Sequence, residues 1–365
     1  MGLSIGIVGL PNVGKSTLFN ALTKKSAPAE NYPFCTIDPS IGIVKVPDDR
    51  VWQLAMFSRS ENVIPAVVEF VDIAGLVKGA SEGEGLGNQF LANIREVDAI
   101  AEVVRIFEDG NIHHVDGGID PMRDIGVINL ELVLADFQTV SKRRANIGRD
   151  VKKGDKLAIA EDAVLLKVEK VLDDGRLAFT ADLSKDELEI AKTMQLLTMK
   201  KILYVLNKKA GNVNLDEIKD DRWSALIKFF EDTKSDYVIV DAGIENELKD
   251  LEGQEKEDFR KELGANDDGV NNLIKKGYEM LGLITYFTTG EKESRAWTIQ
   301  KDSTAPIAGM AIHTDFRDKF IRAEVIHWDE LINAGSRASA RDKGLLRLEG
   351  KEYIVKDGDT IEFKI

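Results

Sequence analysis

The segment Gly9-Leu10-Pro11-Asn12-Val13-Gly14-Lys15-Ser16 sets four residues between two glycines and follows them with a Lys-Ser pair. This is the pattern G-x-x-x-x-G-K-[ST], whose glycines let backbone N–H groups turn inward around a polyphosphate while the next helix adds the positive end of its dipole. On that reading Asn12, Val13, Gly14, Lys15, Ser16 and Thr17 bind the phosphates of a nucleotide. The Lys15 ammonium bridges the β- and γ-phosphates and serves catalysis, and the Ser16 hydroxyl ligates Mg²⁺. A chance Gly-Lys-Ser turn is the bland alternative. It is disfavoured because the motif follows a buried-strand pattern, Leu3–Val8, and precedes a helix-like stretch, Thr17–Thr23.

Two further elements belong to the same chemistry. Glu69-Phe70-Val71-Asp72-Ile73-Ala74-Gly75 ends an apolar run with D-x-x-G, so Asp72 is expected to hold the metal through water and the Gly75 N–H to contact the γ-phosphate during catalysis. Gly79, Gly83, Gly85 and Gly87 follow closely. Such a loop is costly to order, as a switch held by the γ-phosphate should be. The third element is Thr36, within Asn31-Tyr32-Pro33-Phe34-Cys35-Thr36-Ile37-Asp38-Pro39, whose hydroxyl completes the Mg²⁺ sphere. Its bland reading is an ordinary loop threonine.

Base choice is expected at Asn207-Lys208-Lys209-Ala210, after the apolar run Ile202–Leu206, with Asn207 and Lys208 as nucleotide-binding residues. Guanine-specific relatives carry N-K-x-D there, and the carboxylate accepts from guanine N1–H and the N2 amine. Position 210 is alanine. A site built for guanine and lacking that acceptor leaves two donors unpaired, at about 1–3 kcal/mol each if buried. ATP is therefore expected to bind at least as tightly as GTP; Asp216 or Glu217 could fold back and supply a carboxylate, but nothing in the sequence requires it. The residue after D-x-x-G, often a water-orienting glutamine, is Leu76, so basal hydrolysis is expected to be slow.

These residues need a scaffold that brings several strand ends together. Apolar runs rich in β-branched residues recur at Leu3–Val8, Ile41–Val46, Val67–Val71, Ala99–Ile106, Ile202–Leu206 and Tyr237–Val240, most spaced by helix-length stretches. That is the alternation of an α/β sheet, and the runs without polar alternation suit strands covered on both faces. From Leu130 to Lys200 the spacing turns helical, with a capping box at Ser184 and Glu187. Within this inserted arm, Ser141–Lys156 carries seven basic residues against Asp150 and Asp155, which reads equally as a solvated helix face or an RNA-facing patch. From about Leu283 short strands and turns take over, at Thr285–Thr288, Ala296–Ile299, Phe320–Val325, Leu345–Leu348 and Ile361–Lys364. The expected division is a nucleotide-binding domain in two segments, 1–129 and 201–280, a helical insertion at 130–200 and a small terminal domain at 281–365.

The bulk numbers narrow the classes. A chain of 365 residues, 43% hydrophobic, can bury more than one core. A net charge of −14 disfavours indiscriminate nucleic-acid coating, so no DNA partner is expected and any RNA contact must be local. The single cysteine, Cys35, leaves no disulfide framework, and four histidines without ligand spacing make a zinc site improbable. Residues 1–8 lack the basic lead-in of a signal peptide, and Gly6 stands where myristoylation needs Ser or Thr. No run reaches the roughly 18 apolar residues of a membrane span. A cytoplasmic protein without a membrane partner is expected.

Taken together, Gly9–Ser16, Asn31–Thr36, Asp72-Ile73-Ala74-Gly75-Leu76-Val77-Lys78-Gly79-Ala80, Gly83–Gly87, Asn93-Ile94-Arg95-Glu96-Val97-Asp98-Ala99, Thr285-Tyr286-Phe287-Thr288, Arg295-Ala296-Trp297-Thr298 and Ile312-His313-Thr314-Asp315-Phe316 resemble the YchF (Obg-like ATPase) family. The resemblance runs essentially end to end. It implies a Ras-like P-loop NTPase domain, an inserted helical coiled-coil arm and a C-terminal β-grasp TGS domain. It also implies ribosome association and hydrolysis of ATP in preference to GTP, in translation or stress responses. His114, in Asn111-Ile112-His113-His114-Val115, matches a family histidine implicated in hydrolysis; alone it would read as a solvated loop residue. The family's base motif usually ends in Glu, which makes Ala210 a departure. Related NTPases with P-N-x-G-K-S loops use that asparagine to ligate K⁺, so Asn12 suggests K⁺ dependence, or else shapes the loop. The rivals are a GTP-preferring GTPase and a weakly hydrolysing nucleotide-sensing module that binds ribosome or RNA. A metabolic kinase lacks an acceptor-site motif.

Overall fold

The computed structural model describes residues 3–23, 40–73, 86–109, 118–251, 253–263 and 268–365. In chain order the strands are β1 (Ser4–Gly9), β2 (Ile41–Lys45), β3 (Asn62–Ile64), β4 (Val67–Asp72), β5 (Ala99–Arg105), β6 (Lys201–Asn207), β7 (Asp236–Val240), β8 (Leu283–Thr289), β9 (Glu293–Gln300), β10 (Arg322–His327), β11 (Arg347–Glu349) and β12 (Asp359–Lys364). Helices α1 (Lys15–Thr23), α2 (Asp49–Ser58), α3 (Leu86–Glu96), α4 (Pro121–Lys152), α5 (Lys156–Asp173), α6 (Lys185–Lys192), α7 (Leu215–Ile218), α8 (Asp221–Thr233), α9 (Ala242–Glu247), α10 (Gly253–Glu262) and α11 (Gly269–Met280) precede β8.

The first sheet runs β2-β4-β1-β5-β6-β7, parallel except for β2. Every residue of β1 and β5 is buried. Largely apolar runs, interrupted in β5 by Glu102 and Arg105, form these strands because helices cover both faces. All the parallel strands end at one edge, where α/β sheets bind ligands. Gly6 lets β1 lie close beneath its neighbours: a Cβ there would come within 2.5 Å of Ile73 and 2.9 Å of Val97.

The arm begins inside this domain. Asp120 caps α4 by accepting from Arg123 N, with Pro121 in the first turn. The helix then runs through position 130 without a break. Ile128, Leu132 and Ala135 join the main core, while Val133, Val140 and Ile147 pack on Leu165, Val168 and Leu172 of α5. The turn at Gly154 has φ +81°, and Asp155 caps α5 through Leu157 N and Ala158 N. Ser184 and Glu187 form the expected capping box on α6. Buried Asp136 closes the arm's base, accepting from Leu197 N at 3.0 Å, Thr198 N at 2.7 Å and Thr198 Oγ1 at 2.6 Å.

The second sheet runs β11-β10-β12-β8-β9-β3. Its outer strand β3 comes from the first domain and pairs in parallel with β9. Among the described residues, no helix is long and apolar enough to cross a membrane.

Candidate functional site

β1 delivers the chain to the loop at Gly9, where a Cβ would lie 2.9 Å from both Val103 O and Val13 Cγ2, so only glycine fits. Asn12 (φ +65°) and Gly14 (φ +97°) then take left-handed backbone, the conformation that turns successive N–H groups to one side. Val13 is buried and anchors the loop, Lys15 starts α1, and Ser16 and Asn12 are exposed. Thr17 is half-buried in the first turn.

Asn207, at the end of β6, latches this loop. Its Nδ2 donates to Val13 O at 2.8 Å, and its Oδ1 accepts from Ala242 N at 3.1 Å. A Cβ on Gly14 would meet Asn207 Nδ2 at 2.2 Å. The ends of β6 and β7 and the phosphate loop are therefore one hydrogen-bonded unit. Asp72, the last residue of β4 and opposite Ile7 of β1 in register, forms an ion pair with Lys15 Nζ. Both partners keep some solvent contact, at 12% and 26% side-chain exposure, so incoming oxygens can reach them.

Lys15, Asp72, Asn12, Val13, Gly14, Ser16, Thr17, Asn207 and Lys208 thus gather at one edge of the sheet. Thr36, Gly75, Leu76 and His114, with most of the glycine-rich loop, lie outside the described residues. The donor set of hydroxyl and carboxylate oxygens at Ser16 and Asp72 suits a hard divalent cation such as Mg²⁺.

Around position 210 the chain is tightly laced. Buried Asn214 accepts from Lys209 N at 3.0 Å and donates to Lys209 O and Asn212 O, each at 3.0 Å. Asp216 and Glu217 lie against Lys208, with carboxylate oxygens 3.7 and 3.9 Å from its Nζ. The carboxylate beside Ala210 is that of Asp241, whose Oδ2 accepts from Ala210 N at 2.6 Å. Sequence reasoning passed over Asp241. The available signal was an acidic residue directly after the strand Tyr237–Val240, at the ligand-binding edge.

Two buried charged residues on β5 were also missed. Arg105 donates to Phe107 O at 3.0 Å and lies over the Phe107 ring at 4.5 Å; burial lowers its pKa against the opposing pull of Asp109 and Asp124. Glu102 is fully buried, and neither carboxylate oxygen has a hydrogen-bond partner among the described residues. Burial first, then the negative Asp124, pushes its carboxyl well above the usual range. A cavity of about 790 Å³ opens at the opposite edge of the sheet, between Lys201 of β6, Asp236 of β7 and Phe179 and Leu188 of the arm, and shares no residue with the phosphate loop.

Residues 4–129 match the family described as "50S ribosome-binding GTPase", and residues 283–365 match YchF-GTPase_C, described as a protein of unknown function. The "Ribosome-binding ATPase YchF" of Bacillus subtilis is 48% identical over 368 residues, covering 100% of this chain and 99% of that protein. The protein of the same name from Escherichia coli O157:H7 is 47% identical over 364 residues, with the same coverage. The structure of the Schizosaccharomyces pombe YchF GTPase superposes with a TM-score of 0.88 at 36% identity, covering 100% of this chain and 98% of that one.

Proposed function

The chain belongs to the YchF family, and from that premise and the phosphate-loop geometry we propose that it hydrolyses ATP to ADP and phosphate as a nucleotide-controlled switch acting on the ribosome in the cytoplasm, in translation or stress response. The observation that carries the reading is the Lys15–Asp72 pair at the mouth of a loop whose backbone is turned by Asn12 and Gly14. A triphosphate entering there draws the ammonium to its β- and γ-oxygens. Loop amides of residues 12–17 hold the remaining phosphate oxygens.

Ser16 and Thr36, with Asp72 through water, are the residues proposed to hold Mg²⁺, which when bound supplies positive charge against the phosphate oxygens. Gly75 N–H is proposed to contact the γ-phosphate and His114 to orient the attacking water, since Leu76 cannot hydrogen-bond. Asn12 is proposed to ligate K⁺, which would supply the charge of an arginine finger. Asn207 and Lys208 flank the base.

The ribosomal contact is proposed to include rRNA at the far end of the arm. Arg143, Arg144 and Lys153 are paired with Glu161, with Asp162 and Glu169, and with Asp150. Lys142, Arg149, Lys152 and Lys156 are exposed, and so is Leu157, at 82%. Exposed cations around an apolar tip suit a phosphate-rich surface that also offers base or protein contact.

Leu76 favours a second reading, a nucleotide sensor that barely hydrolyses, and the relative titled a GTPase keeps a GTP-preferring enzyme in view. Single-turnover hydrolysis of ATP and GTP, with and without ribosomes, separates the three. Ribosome-accelerated ATP cleavage, about tenfold or more, is the expected result. Equal and very slow rates would leave only the sensor, and faster GTP cleavage only the GTPase.

A further inference from the structure

We propose that Asp241 reads the purine base in this protein, standing at the end of β7 beside the position where an N-K-x-D motif would carry its carboxylate, and that, with ATP as the nucleotide, its partner is the exocyclic amine, the hydrogen-bond donor adenine offers. The proposal rests on the ATP-binding reading above and deepens it at the base.

Four observations converge on Asp241. It stands directly after β7, beside the end of β6, and Asn207 ties both strand ends to the phosphate loop through Val13 O and Ala242 N. Its Oδ2 lies 2.6 Å from Ala210 N, beside the residue that would carry the base-reading carboxylate in an N-K-x-D motif. The residue is 7% exposed, yet among the described residues it has no ion-pair partner. Neighbouring Lys208 and Lys209 are committed elsewhere, to Asp216 and Glu217 and to Asp109.

A buried carboxylate without a cation is expensive unless hydrogen bonds satisfy it. Asp241 receives one from Ala210 N and one from Ile244 N at 3.0 Å, which leaves roughly half of its four lone-pair sites open. Capping of α9 accounts for the Ile244 bond, and Ser or Asn would serve there equally. Capping does not account for the second oxygen, which reaches across to a different loop. That oxygen fixes the carboxylate against the base-side backbone, so its remaining acceptor capacity is oriented before any ligand arrives. Preorganised acceptors discriminate strongly against ligands lacking the matching donor.

Titrations of wild type, Asp241→Ser and Asp241→Asn with ATP, purine riboside triphosphate (adenine's ring without the amine), GTP and inorganic tripolyphosphate test this. Both variants keep an α9 cap, and a melting curve confirms that each is folded. Wild type should prefer ATP to purine riboside triphosphate by about ten- to a hundredfold, the range of one hydrogen bond to a charged group. In both variants that ratio should fall towards one, with tripolyphosphate affinity unchanged. A ratio retained in folded variants would overturn the role of Asp241, and so would wild-type indifference to the amine or a tighter grip on GTP than on ATP. Wild type that binds neither ATP nor tripolyphosphate would instead sink the phosphate-loop reading beneath it.

Discussion

Glu102 lies in the middle of a central strand with two carboxylate oxygens facing no donor among the described residues, while Asn207, two strand-ends away from the loop it latches, has both ends of its amide used. The contrast separates a side chain placed for architecture from one whose burial has a proton-linked consequence. Burial, and then Asp124, raises the Glu102 carboxyl well above its ordinary value, and Tyr204, its register partner on β6, is raised too, chiefly by burial and secondarily by Glu102. The folded protein therefore holds a proton that the unfolded chain releases above about pH 4.3. Between that pH and the raised folded value the folded state binds more protons, so this group makes stability fall as pH rises, by about 1.4 kcal/mol per unit. Glu102→Gln removes the penalty. Its stability relative to wild type should be near parity at pH 4 and should improve as the pH rises above that in urea denaturation; a pH-independent difference would contradict the assignment. Of this residue-scale picture, the phosphate loop was legible in the sequence because its chemistry sits in eight contiguous residues. Asp241 was not, because its meaning depends on an alanine 31 residues away whose N–H it accepts from.

Elements tell a similar story. Apolar runs rich in β-branched residues made the six strands of the first sheet visible from sequence alone, most plainly in β1 and β5, which are buried throughout. β3 was invisible: three residues, none fully buried, whose partner strand lies in the other domain. The arm was visible as helical spacing, but its beginning was not, because α4 serves the main core and the arm core with one continuous helix. What fixes the arm's base is Asp136, whose removal would leave the Leu197 and Thr198 N–H groups buried without partners. Asp136→Ala should cost about 3 kcal/mol or more on that count. Arg144→Ala, at a partly exposed pair site farther along the arm, should cost no more than about 1 kcal/mol. Chemical denaturation of the two variants makes the comparison, and equal losses would show that the base is not where the arm is secured.

At the scale of the whole molecule, the terminal sheet is bound to the nucleotide domain by more than a linker. β3 extends it, Ser60 Oγ donates to Gly290 O at 2.7 Å, and Thr289 Oγ1 donates to Ser58 Oγ at 2.7 Å. Arg50 bridges Asp48 and Asp357 and lies 5.1 Å from the Phe287 ring centre; burial alone would lower its pKa, but the two carboxylates outweigh this and raise it. The segment making these contacts, α2 and β3, immediately precedes β4, whose last residue is Asp72. A change of partner at Lys15 and Asp72 is therefore one strand away from the terminal domain, which gives the bound phosphate a short structural route to that domain. The measurement that bears most directly on the account is ribosome affinity, by co-sedimentation, with a non-hydrolysable ATP analogue and with ADP, for wild type and Lys15→Ala. The account predicts an affinity difference of about fivefold or more between the two nucleotides for wild type, abolished in Lys15→Ala together with analogue binding. A Lys15→Ala protein that binds the analogue as wild type does and keeps the same difference would contradict it.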